Sequence, residues 1–445
     1  MITVVGTGTG TPLPPDVAAG AGLVVGGRRH LDAVRLPEGA ERVVLGPLAP
    51  ALDVIERHLD KESRVLVLAS GDPGFFGIVR VLAERFGTDR LEVRAGVSSV
   101  AAAFARVGLP WDDAVVVSAH GRDLRTAVNV CRAHPKVAVL TGPGAGPAEL
   151  GDALRHAFGT PPGATAHASR ARDDSSAAGP AEDPAGSPSS GTRVLVVAGA
   201  LGDPARERVE RVTPAEAAGR DWGGDVSVVL CLDETRVLGG VRTVAGAPAG
   251  PAGWALDEGE FAHRDSMITK FEVRALALAR LGPRLGELVW DVGAGSGSVA
   301  VECARLGAAA VAVEKTADGV ARIAANARAH GVYVDVRHGS APGLLDELPD
   351  PDAVFVGGGG AELPAVVTAC AVRARRTVVV AMAALDRVPA ARAALTGAGF
   401  SCDGVLLQSS RLAPLPGEVT RLAATNPVFL LWGTRTPSSE EGVAQ

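Results

Sequence analysis

Residues 290–298 read WDVGAGSGS. The ELVW that leads into it (287–290) and the VAVECARL that follows (299–306) predict a strand, a tight glycine turn and then a helix whose free N–H groups face the loop. That arrangement holds a nucleotide-type ligand. A dinucleotide fingerprint requires G-x-G-x-x-G, whereas Gly293, Gly295 and Gly297 are spaced G-x-G-x-G, with Ser298 where the last glycine should stand. The spacing weakens a pyrophosphate reading.

Downstream, strands are expected at 288–292, 309–313, 332–337, 353–356, 377–381, 405–408 and 428–432, with amphipathic helical segments between most of them. Seven strands make an open α/β sheet, whose ligand sits outside the carboxyl ends of the strands. Gly293–Gly297 follows the first strand, and Glu314 ends the second, where its carboxylate is placed to accept both hydroxyls of a ribose. A nicotinamide cofactor would use the same acid. S-adenosylmethionine has no pyrophosphate and needs only a turn that lets its methionyl and ribose parts approach the backbone, which suits this spacing. The run VGGGG at 356–360 ends the fourth strand on the same side of the sheet, where small residues leave room for a bulky substrate.

At 445 residues, 47% hydrophobic and 21% charged, the chain is long enough for two or three domains with proper cores. Only Lys61, Lys136, Lys270 and Lys315 are lysines, the net charge is −6, and no basic tract points to nucleic acid. The start, MITVVGTGTG, has no charged region ahead of an apolar stretch, and no apolar run approaches the roughly 18 residues of a membrane-spanning helix. The expectation is a cytoplasmic protein without a membrane span. Its five cysteines are far apart and lack C-x-x-C spacing, the pattern of reduced, mostly buried thiols, and no metal site is expected.

From 159 to 191 the chain is almost entirely Ala, Gly, Pro, Ser and Asp, and a disordered insertion is expected there. Beyond it RVLVVAGA (193–200) and VSVVLCL (226–232) read as strands returning to the first fold. The Gly/Pro-rich stretch 244–261 then separates two domains near residue 250, giving domains of 1–245 and 246–445. Just after it, Thr269 and Glu272 form an S/T-x-x-E capping box ahead of a helix carrying Val273, Leu276 and Ala277. His263, Arg264, Asp265 and Lys270 gather beside that cap, a cluster costly to bury without partners.

The first half opens on a short apolar strand and GTGTGTPLPP (6–15), which cannot continue as a dinucleotide-binding helix because Pro12, Pro14 and Pro15 follow the glycines at once. In VLVLASGDPGFFGI (65–78) an apolar strand ends in a Gly/Asp/Pro turn, with 78–86 as the next helix. Gly71 and Gly74 permit close backbone approach there, and Ser70 and Asp72 are the local polar groups. GVSSV (96–100) then offers Ser98 or Ser99 as a helix cap.

Two resemblances attach to these stretches. HRDSMITKFEVRALALARL with WDVGAGSGSVAVECARL and DAVFVGGGG resembles the C-terminal module of the precorrin-6Y C-5,C-15-methyltransferase (decarboxylating) family. By that resemblance Thr269, the turn Gly293, Ala294, Gly295, Ser296 and Gly297, Glu314 and the backbone at Ala341 contact S-adenosylmethionine. The sequence departs from the family at Ser340, commonly acidic, and Ala381, commonly Asn. SGDPGFFG with GVSSV resembles the tetrapyrrole methylase family over most of 1–240, which implies a two-lobed α/β fold. Gly71, Asp72, Gly74, Ser98 and Ser99 would lie at its S-adenosylmethionine site, and Gly6, Gly8 and Gly10 along the tetrapyrrole cleft. Thr9 stands where that family has proline, and TGPGAGPAEL (141–150) replaces a more polar stretch.

The fold these resemblances imply is α/β throughout: an N-terminal two-lobed tetrapyrrole methylase fold and a C-terminal Rossmann-like, seven-stranded class I methyltransferase fold. They imply a precorrin substrate methylated at C-5 by the first domain, and methylated at C-15 and decarboxylated at its ring C acetate by the second, with self-association of the chain. Meso carbons of such a macrocycle are enamine-like nucleophiles, so alignment and exclusion of water matter more than a strong base. Arg264, His263 and Lys270 are the candidates to meet substrate carboxylates. A nicotinamide-dependent reductase and a non-catalytic tetrapyrrole or adenosyl carrier remain open as alternatives; the first leaves SGDPGFFG unexplained.

Overall fold

The computed structural model describes residues 1–158, 193–224, 226–239, 245, 251, 253–264 and 268–435. The expected insertion at 159–191 lies outside them, as does Asp265. The described residues divide into two compact units. The first holds 1–124, 135–158 and those between 193 and 245, and the second holds 125–134 and those between 251 and 435.

In the first unit, β1 (Ile2–Thr7), β2 (Leu23–Gly26), β3 (Glu41–Val44), β4 (Val65–Ser70) and β5 (Leu91–Arg94) form a parallel sheet in the order β3-β2-β4-β1-β5. A parallel sheet is covered on both faces, and so β1 and β2 are buried at every position. Ile2 and Val4 face one apolar cluster and Val5 the other, as the period of two requires. A second, mixed sheet contains β6 (Val115–Ser118), β7 (Lys136–Leu140), β8 (Arg193–Gly199), β9 (Arg208–Val212) and β10 (Val226–Asp233), in the order β6-β7-β10-β8-β9. The strands that follow the insertion thus return to the first unit, as their apolar runs suggest.

The second unit contains β11 (Leu288–Val292), β12 (Ala309–Glu314), β13 (Asp335–His338), β14 (Ala353–Val356), β15 (Thr377–Met382), β16 (Phe400–Leu407), β17 (Ser410–Leu415), β18 (Val419–Ala424) and β19 (Val428–Arg435). Seven of these form one sheet in the order β13-β12-β11-β14-β15-β19-β16, with β19 antiparallel to both neighbours. Leu288, Trp290 and Val292 of β11 enter one core, while Val289 enters the opposite core with Val273, Ala277, Leu278 and Leu281 of the helix Phe271–Leu281. The strand order reverses between β11 and β14, which opens the crevice above their carboxyl ends.

Two expected strands need correction, and one hairpin is unexpected. The strand placed at 332–337 begins only at Asp335, after a helix-ending turn at Gly331. The one placed at 405–408 begins at Phe400 and ends at Leu407; its solvent-facing polar residues conceal it. The hairpin β17–β18 has no counterpart among the expected strands; Pro414 lies within β17 and Gly417 in the turn, residue types that interrupt a strand pattern.

Candidate functional site

Above the carboxyl ends of β11, β12 and β14 lies a cavity of about 560 Å³, lined by Gly293, Glu314, Lys315, Ser340, Ala341 and the run Gly358–Glu362, among others. Gly293 has φ +74°, and a Cβ built on it would lie 3.1 Å from the backbone nitrogen of Gly358. Two glycine loops from adjacent strands therefore touch, a contact that any side chain at Gly293 would disturb.

Glu314 is only 7% exposed. Its Oε2 accepts the Gly295 N–H at 2.9 Å, and its Oε1 accepts the Thr316 N–H at 2.9 Å and the Thr316 hydroxyl at 2.8 Å. Burial raises the cost of its charge, but these donors outweigh burial and hold its pKa below the ordinary value. A carboxylate offers about four acceptor positions. Donors of the chain thus occupy part of that capacity, and Glu314 anchors the glycine turn while it borders the cavity.

The turn is held in place from behind. Gly297 (φ +72°) starts the helix Ser298–Arg305, and Ser296 is buried. Asn326 accepts the Ala262 N–H at 2.8 Å, and its amide nitrogen donates to Ala262 O at 2.9 Å and Ser296 O at 2.8 Å. It thereby ties the segment carrying His263 to the glycine turn. Nothing in the sequence marks Asn326 except its place on the inner face of the helix Ala317–Ala329. Asp291, at the end of β11, is fully enclosed and accepts the Ala300 N–H at 3.0 Å. Burial, together with the nearby Glu314 charge, pushes its pKa up to about 7.

The expected capping box is absent. The helix begins at Phe271 with Lys270 at its N-cap and no side-chain cap bond; Glu258 accepts the Phe271 N–H instead, at 2.9 Å. Glu272 is drawn to Arg411 of β17, which donates to both Glu272 and Glu258 through four hydrogen bonds of 2.7–3.0 Å. Thr269 contributes its carbonyl to Arg274. His263 is half-buried with Nδ1 enclosed and lacking a hydrogen-bond partner, Arg264 is exposed, and Lys270 is half-buried.

A second glycine-lined cluster occupies the carboxyl ends of β1, β4 and β5 in the first unit. Gly71 donates to Thr7 O at 2.8 Å. A Cβ on Gly6 would lie 2.1 Å from Gly71 O and 2.4 Å from the nitrogen of Gly96, so the three loops meet backbone to backbone. Asp72 accepts the Gly74 N–H at 2.8 Å, fixing the turn, and the Thr9 hydroxyl donates to Val97 O. Ser98, not Ser99, caps the helix Ser99–Val107 by accepting the Ala101 N–H at 3.1 Å. Gly202, after β8, packs on Thr9 and Gly10. No local sequence signal marks Gly202 as part of this cluster.

Residues 1–184 match the family described as Tetrapyrrole (Corrin/Porphyrin) Methylases, and residues 260–432 match the Precorrin methyltransferase domain. A precorrin-6Y C(5,15)-methyltransferase [decarboxylating] from Sinorhizobium sp is 36% identical over 348 residues, 77% of this chain and 74% of the relative. The chain belongs to the precorrin-6Y C(5,15)-methyltransferase family. A cobalt-precorrin-7 C(5)-methyltransferase from Salmonella typhimurium is 35% identical over 34% of this chain and 75% of its own length. The crystal structure of the C-terminal domain of the precorrin-6Y C5,15-methyltransferase from Rhodobacter capsulatus is 34% identical, covering 41% of this chain and 97% of that one, with a TM-score of 0.37. As a member of that methyltransferase family the chain is an enzyme. Among the described residues no helix is long and apolar enough to cross a membrane.

Proposed function

We propose that the chain transfers methyl groups from S-adenosylmethionine to C-5 and C-15 of precorrin-6B and removes the ring C acetate carboxyl group as carbon dioxide, giving precorrin-8. Domains of 1–245 and 246–445 divide this work, the first acting at C-5 and the second at C-15 and on the acetate. The observation that carries the reading is Glu314 at the wall of the glycine-lined cavity, in a chain whose two family matches are both methylases.

The residues present suit the donor. The cavity brings together a buried carboxylate and a glycine turn open to close approach. When bound, S-adenosylmethionine supplies an electrophilic methyl group. Glu314 would accept the ribose hydroxyls, the Gly293–Gly297 backbone would lie along the methionyl and ribose parts, and Ala341 would border the adenine. In the first unit the Gly71–Gly74 turn and Ser98–Ser99 hold the second donor, and Gly6, Gly8 and Gly10 face the macrocycle. Arg264, Lys270 and His263 meet substrate carboxylates in the second unit. The protein's contribution is alignment of a nucleophilic ring carbon with the methyl group in a site closed to water.

Calorimetric titration of the full chain with S-adenosylhomocysteine tests this directly. Two sites are expected, one of them lost in Glu314→Ala, followed by turnover of precorrin-6B with release of carbon dioxide. Absence of any site, or binding of NAD(P)H instead, overturns the reading.

A further inference from the structure

The sequence GGRRHL at 26–31 is not used by anything described so far. It begins at the last residue of β2, and two of its side chains reach the glycine cluster of the first unit. Arg29 Nε donates to His30 Nε2 at 3.1 Å, and Arg29 Nη2 donates to the hydroxyl of Ser70 at 2.8 Å, one residue before Gly71. Ser70 Oγ is itself 3.4 Å from His30 Nε2. A Cβ built on Gly8 would lie 2.8 Å from His30 Nε2 and 3.9 Å from Arg29 Nη2. The guanidinium therefore stands between the Gly6–Gly10 loop and the Gly71–Gly74 turn.

The geometry also says how this guanidinium is prepared. His30 is 6% exposed and accepts through Nε2, so its proton sits on Nδ1 and the ring is neutral. Protonating Nε2 would oppose two donors beside a fixed positive charge. Burial, then the Arg29 charge, pushes the His30 pKa down to about 4. The guanidinium fork thus spends its Nε/Nη2 edge on two neutral partners, and its Nη1/Nη2 edge is left for a bidentate acceptor. Arg29 is exposed and forms no ion pair with a carboxylate among the described residues, whereas nearby Asp32 is taken by Arg42 at 2.5 Å. A full positive charge, oriented by neutral groups beside a surface of bare backbone, is an anion receptor.

We propose that Arg29, oriented by His30 and Ser70, binds a peripheral carboxylate of the tetrapyrrole in the first unit and so sets where C-5 lies relative to the methyl donor. This rests on the function proposed above. Arg29 is a substrate-binding residue, and His30 and Ser70 are positioning residues that act through it.

The test uses the full chain and follows C-5 and C-15 methylation separately, with affinity for S-adenosylhomocysteine measured alongside. R29Q is expected to raise KM for the tetrapyrrole in C-5 methylation by about ten- to a hundredfold, as loss of a charged hydrogen-bonded contact does, with kcat within about threefold. Donor affinity and C-15 methylation stay at the wild-type level, and R29K recovers part of the loss. H30F shifts KM in the same direction, while H30Q, whose amide oxygen can still accept from Arg29 Nε, restores it. An unchanged KM in R29Q overturns the assignment. So does a fall in S-adenosylhomocysteine affinity, which would mean that the carboxylate met by Arg29 is the methionyl one of the donor. Failure of the wild type to methylate C-5 at all overturns the functional reading itself, and is recognised because it appears before any substitution is made.

Discussion

The carboxylate of Glu314 and the backbone N–H of Gly295 are 2.9 Å apart, joining the end of β12 to the turn after β11. The acid that faces the cavity is thus also a brace for the loop beside it. Glu314→Ala is expected to weaken S-adenosylhomocysteine binding in the second unit at least tenfold, about 1.4 kcal/mol. Glu314→Gln is expected to fall between, since its amide keeps one acceptor but turns a donor toward the Gly295 or Thr316 N–H groups. Calorimetry on the three proteins orders them, and equal affinities would remove Glu314 from the site.

Gly293→Ala places a methyl group against the Gly358 backbone at a residue with φ +74°. The strained backbone and the contact together are expected to cost about 1–3 kcal/mol locally. C-15 methylation should drop while C-5 methylation persists, which product analysis by mass spectrometry would detect.

Asp291 gives a pH signature. Its folded-state pKa is raised to about 7 from an ordinary 3.8, so the folded chain holds a proton that the unfolded chain releases. The stability it contributes is complete below about 3.8 and disappears as pH rises through about 7. Asp291→Asn can keep the bond from Ala300 without carrying a charge. The melting temperature of the variant relative to wild type should therefore rise between pH 5 and pH 8.5, and parallel profiles would count against a protonated Asp291.

Arg411 holds Glu258 and Glu272, binding β17 to the start of the helix Phe271–Leu281. Arg411 and Glu272 are partly solvated, so screening limits the loss in Arg411→Met to about 1–2 kcal/mol. Hydrogen exchange in Phe271–Leu281 and Ser410–Leu415 should quicken. Bonding to Arg411 lowers the Glu258 pKa from 4.5 to about 2, so this contribution is present above 4.5 and fades as pH falls through about 2. The difference between variant and wild type should shrink accordingly in acid.

The glycine turn, the acid that ends β12 and the seven-stranded sheet were legible because each is a local signal: a spacing, a strand end, a period. The brace by Asn326, the packing of Gly202 on Thr9 and Gly10, and the Arg411 clamp depend on partners 30 to 193 residues away, and nothing near them in sequence announces the pairing. The capping box failed for the same reason. Thr269 and Glu272 have the right spacing, but Arg411 offers Glu272 a charged partner and Glu258 supplies the acceptor that the helix start needs. Locally favoured caps yield when a distant residue makes the stronger bond.

The last strand in the second unit's sheet, β19, lies between β15 and β16. During synthesis β16 emerges before β19, its one sheet partner among the described residues, so it waits unpaired while the β17–β18 hairpin and then Val428–Arg435 are made. A chain stopped short of Val428 would lose two strands from the sheet, not one, and would leave β15 as a bare apolar edge open to pairing with other chains.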